Sequence, residues 1–85
     1  MTVTEAEMHA RIQREKHMAA MEVQTEAWAD GISEGIDSEI MAAAGMETIL
    51  AHLVRDRGPE AARELLAAIS GQLDAGHFRT QEWLN

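Results

Sequence analysis

Four histidines, His9, His17, His52 and His77, and fifteen carboxylates are the side chains with which this sequence could do acid–base or metal chemistry. Their spacing does not assemble a recognisable site. Glu5, His9 and Gln13 share an i, i+4 row on a helix and His17 lies one step further, a loose arrangement for two imidazoles on one metal. The E-x-x-H pattern of carboxylate-bridged di-iron bundles is absent, because Ala6, Arg14, Ile49 and Asp74 stand three residues before the four histidines. H-E-x-x-H is absent as well. Asp74-x-x-His77 straddles a helix end, and the histidines are read as solvated or locally hydrogen-bonded.

Nucleophilic chemistry fares no better. There is no cysteine, hence no disulfide framework and no thiolate nucleophile or metal ligand. Ser33, Ser38 and Ser70 have no motif around them, and the histidines that might activate them fall on different elements. Glu22 and Glu26 lie on one helical row, where a solvated face accounts for them better than a general acid/base pair does. The six glycines never form a phosphate loop, and Gly31-x-x-x-Gly35 resembles a membrane dimerisation motif in form only, with Asp30, Glu34 and Asp37 around it. The residues therefore predict a non-enzymatic protein with no cofactor.

Charge narrows the class of partner. Fifteen acidic residues against seven Lys+Arg give a net charge of -8, which argues against direct binding to nucleic acid or to an anionic membrane surface. Glu5, Glu7, His9, Arg11 and Arg14 interrupt the start of the chain where a secretory signal needs an apolar run. No stretch approaches the roughly 20 apolar residues that span a bilayer. A cytoplasmic chain is expected, and the Ala- and Arg-rich composition with the single Lys16 points to a bacterial or phage source.

The elements that carry these residues read as helices separated by glycine. Thr4-Glu5-Ala6-Glu7 fits a capping box and starts a helix at about residue 5. Nothing stops it before Asp30, and Gly31 offers a left-handed C-terminal position. A second helix runs over about 38–57 with Asp37 or Ser38 as its cap, and Arg55 and Arg57 suit its C-terminal dipole. Gly45 inside it costs about 1 kcal/mol relative to Ala, which implies close packing, a bend or a break. Gly58-Pro59 ends that helix and opens a third, over about 59–75, that stops at Gly76. Thr80–Leu84 suggests one further short turn. At 85 residues this is a single helical domain, and its 46% hydrophobic content includes fifteen Ala and only three aromatics.

Periodicity distinguishes what each helix can bury. Ala62, Leu65, Leu66, Ile69 and Leu73 form one apolar stripe, whereas Ile36, Ile40, Ala44, Met46, Ile49, Leu50, Leu53 and Val54 surround the second helix on more than one side. From residue 18 onward, Met18, Met21, Thr25, Trp28 and Ile32 follow 3-4-3-4 spacing, a seam able to pack on the other two helices. Before it, Met8 and Ile12 lie on a different row, with Ala19 on their side, that continues into Glu15, Glu22 and Glu26. A helix of 26 residues spans roughly 39 Å, while a globule of this length has a radius of gyration of about 12 Å. Residues 1–17 are thus expected to project as an arm, 18–76 to form the core and 77–85 a tail holding Phe78 and Trp83. Along the arm, Glu7/Arg11 and Arg11/Glu15 at i, i+4 spacing add a few tenths of a kcal/mol each.

The expectation is an all-α fold of three main helices, the long first one projecting from a helical hairpin, with the bundle completed by oligomerisation. The protein should act as an interaction module, either a homodimer or an adaptor or regulator bound to a larger protein, through Met8, Ile12, Met18, Met21, Trp28, Phe78 and Trp83. One alternative is an acidic inhibitor in which Glu15, Glu22, Glu26 and Asp30 imitate nucleic-acid phosphates on a target's basic channel. Another is a bundle that binds a small ligand or a metal.

Overall fold

The computed structural model describes residues 4–79 and is all-α. Its helices are α1 (Glu5–Ser33), α2 (Ser38–Arg57) and α3 (Pro59–Asp74), with no strand among the described residues. The chain divides into two compact units, one up to Ala42 and one from Ala43, so the boundary falls inside α2.

In the first unit α1 begins as its capping residues dictate. Thr4 is extended, and its Oγ1 accepts the Glu7 N–H at 3.0 Å while its carbonyl accepts that of Met8. The hydroxyl satisfies one of the four backbone donors orphaned at a helix start, and the carbonyl takes the first bond of the helical ladder. The far end departs from the sequence expectation. Gly31 is not the left-handed stop but a helical residue, and α1 continues to Ser33. The stop is Gly35, at φ 90°. Gly35 N–H donates to Ile32 O at 3.0 Å and Ile36 N–H to Gly31 O at 3.1 Å, the paired bonds of a Schellman end. Gly31 serves packing instead: it is buried, and a Cβ built on it would meet the Met41 thioether, 2.5 Å from Cε. The first turn of α2, opened by the Asp37 carbonyl accepting the Met41 N–H at 2.9 Å, thus lies against the last turns of α1.

The second unit holds the rest of α2 and all of α3. α2 passes through Gly45 without a break, and a Cβ there would meet nothing within 4 Å, so neither a helix break nor close packing within the chain explains this glycine. Beyond it, the Thr48 hydroxyl donates to Ala44 O at 2.8 Å. Gly58, at φ 88°, separates α2 from α3, and Pro59 occupies the first turn of α3 where its missing N–H costs nothing. α3 ends as expected at Gly76, φ 81°, with His77 N–H donating to Gln72 O at 3.0 Å. The Arg79 side chain lies over Gly76, Cδ standing 3.3 Å from where a Cβ would be. The further turn expected over Thr80–Leu84, with Trp83 in it, lies outside the described residues.

Very little of this is core. Among the described residues only Gly31 and Ala62 are buried. Apolar side chains gather on one side of α3, as its spacing predicts, yet Leu65, Leu66 and Ile69 remain 39–40% exposed and Leu73 62%. α2 and α1 carry theirs round more than one side, with Ile40 at 58% exposure on α2.

Candidate interaction surface

Seven of the expected contact or acidic positions lie on the stretch of α1 from Met8 to Glu26, and helix geometry fixes their relation. At about 100° per residue, Met8, Ile12, Ala19 and Val23 fall within roughly 60° of one another. Glu15, Glu22, Glu26 and Asp30 share that side. Met18, Met21, Trp28 and Ile32 fall on another. Every described residue from Thr4 to Ala20 is exposed, Met8 and Ile12 among them. On the seam, Met21 is half-buried, while Trp28 and Ile32 are exposed and Met18 reaches 65%. α1 therefore offers apolar surface on two sides, and the four acidic side chains stand in solvent on one of them.

In the second unit, Phe78 is exposed and stands edge-on to the His77 ring, centroids 4.8 Å apart at 87°. Trp83 lies outside the described residues. Sequence spacing missed Val23, whose 63% exposure is among the largest of the bulky apolar side chains described. The signal was available, since Val23 falls on the side of α1 opposite the Met18/Trp28 seam and so has no place in it. It also treated the α3 stripe as ordinary core, although Ala62 is its one buried member.

Polar groups make local contacts. Arg55 Nη2 lies 2.7 Å from His52 Nδ1, and Arg55 Nε lies 3.3 Å from Asp56 Oδ1. Arg63 pairs with Glu60 one turn away. These two are the ion pairs among the described residues, so Arg11 does not close the bonds to Glu7 and Glu15 that its spacing allows. Exposed pairs of this kind contribute at most about 1 kcal/mol each, and long side chains on a solvated helix gain little by closing them. No group of three or more His, Asp or Glu among the described residues is placed to hold a metal ion. Nor is any helix of the described residues long and apolar enough to cross a membrane.

No family model, curated protein or solved structure matches this chain. The surface itself is thus the ground for a functional reading. It presents exposed apolar side chains along its helices, with an acidic run on α1.

Proposed function

We propose that this protein is a non-enzymatic, self-associating helical interaction module whose apolar faces are covered by another copy of the chain. The observation that carries the reading is the imbalance between helix content and burial. Helices cover Glu5–Ser33, Ser38–Arg57 and Pro59–Asp74, while only Gly31 and Ala62 among the described residues are buried. Ordering each residue costs about 1–2 kcal/mol of backbone entropy, and the compensating term is apolar burial. Gly31 and Ala62 supply little of it, and half-covered side chains such as Leu65, at 39% exposure, supply it only in part. Met8, Ile12, Met18, Val23, Leu66 and Leu73 are where the missing burial is available. Homotypic association is the most economical source, since a two-fold axis lets one patch serve both subunits.

Thermal unfolding followed by far-UV circular dichroism tests this. If folding and association are linked, the midpoint rises with protein concentration. A midpoint constant over about a hundredfold range of concentration contradicts the proposal. Repeating the series in about 0.5 M NaCl separates it from the acidic-mimic reading: apolar self-association persists there, whereas a complex held by exposed carboxylates on a basic target is screened away.

A further inference from the structure

We infer that Met41 is a redox-sensitive latch on the corner between α1 and α2: oxidation of its thioether to the sulfoxide by a peroxide releases the last turns of α1 from the first turn of α2. The latch lies within one chain and needs no second copy.

The corner is sensitive because so little else holds it. In the unit that ends at Ala42, Gly31 is the one buried residue among those described, and the Met41 side chain stands over it. Met41 Cε lies 2.5 Å and Cγ 3.3 Å from the point where a Cβ would be, so the thioether occupies the notch that the missing side chain leaves. The connecting residues add local backbone bonds, from Gly35 N–H to Ile32 O, Ile36 N–H to Gly31 O and Met41 N–H to Asp37 O. Neither ion pair among the described residues falls in this unit.

A thioether suits such a notch because it is apolar, slim and polarisable. A sulfoxide does not. Oxidation puts a strongly accepting oxygen on the sulfur, and Gly31 has no donor to offer it. Its N–H is committed to the ladder of α1, and its carbonyl already accepts the N–H groups of Glu34 and Ile36 at 3.2 and 3.1 Å. A covered acceptor without a donor is unfavourable, so the oxidised side chain turns out to water and Gly31 loses its cover.

Met41 is only half-buried, which leaves its sulfur within reach of a small oxidant. In the step the sulfur attacks one peroxide oxygen, the O–O bond breaks, an S–O bond forms, and with hydrogen peroxide the other oxygen leaves as water. Sulfur loses the two electrons that the peroxide gains. A methionine sulfoxide reductase with a thiol reverses it, the sulfoxide oxygen leaving as water while two thiols become a disulfide. The chain has no cysteine, so methionine carries all of its sulfur chemistry and the thiol has no disulfide in it to reduce. Met8, Met18 and Met46, at 45–65% exposure, place their sulfoxides in solvent, where the added oxygen is hydrated.

Hydrogen peroxide applied to the full-length protein tests the latch. Peptide mass spectrometry reads the sulfoxide at each methionine, and amide hydrogen exchange over residues 29–42 reads the corner. Met41→Leu keeps the volume and does not oxidise, whereas M8L/M18L/M21L/M46L keeps the latch and removes the other described methionines. Exchange over the corner should rise about tenfold in oxidised wild type and in the fourfold variant, stay within about twofold in Met41→Leu, and return on treatment with reductase and thiol. If Met41→Leu itself loosens the corner, wild-type protein at partial oxidation supplies the comparison, with exchange tracking the sulfoxide fraction of Met41 and not that of Met18. Complete oxidation of Met41 without faster exchange at the corner overturns the inference. So does an equal response in oxidised Met41→Leu, or a Met41 that stays reduced while Met8 and Met18 oxidise fully.

Discussion

The thioether of Met41 fills the space that a Cβ on Gly31 would occupy, which joins the last turns of α1 to the first turn of α2. The contact makes the two positions energetically coupled. Gly31→Ala alone gains helix propensity of up to about 1 kcal/mol but must displace the Met41 side-chain end, so the two effects offset. In a Met41→Ala background the same substitution meets no thioether and should stabilise by about 0.5–1 kcal/mol. Urea denaturation of the four proteins in a double-mutant cycle measures this, with a coupling of at least about 0.5 kcal/mol expected and additivity arguing against the contact.

Gly35 has a different role and should show the opposite sign. Its φ of 90° is left-handed, and a Cβ there would find open space, so any cost is backbone strain alone. Gly35→Ala should destabilise by about 1–2 kcal/mol. A fall in thermal midpoint checks it, with Gly35→Asn recovering part of the loss because Asn tolerates this region best among the other residues.

Gly45 and Gly71 sit inside helices with nothing within 4 Å of a built Cβ. Gly45→Ala and Gly71→Ala should each stabilise by about 1 kcal/mol, through helix propensity and a less flexible unfolded chain. Denaturant midpoints at matched protein concentration report the effect.

Thr4 holds the start of α1 through its hydroxyl. Thr4→Ala should cost about 1 kcal/mol and be felt locally, as faster amide hydrogen exchange over the first turns of α1, while Thr4→Asp should preserve protection.

These contrasts mark what a single sequence could and could not disclose. Thr4-x-x-Glu7, Gly58-Pro59 and Gly76 act on their immediate neighbours, so the limits they predict for helices agree with the structure to within a few residues. Gly31 and Gly35 offer the same local signal, and choosing between them depends on Met41, ten residues beyond Gly31 and in the next helix. A helical period says which side chains share a face, as it does for Ala62 and Leu73 on α3. It does not say how much of that face finds cover, and Leu73 remains largely exposed. The Met8/Ile12 side of α1 was legible as exposed apolar surface, whereas Val23 stands outside the Met18/Trp28 seam, on the opposite side of the helix.

Solution mass tests the central claim most directly. Sedimentation equilibrium over a range of concentrations should give twice the 9.4 kDa chain mass, or a higher multiple, at the upper end and dissociation toward a less helical species on dilution. A single, fully helical 9.4 kDa species at every concentration would contradict the account.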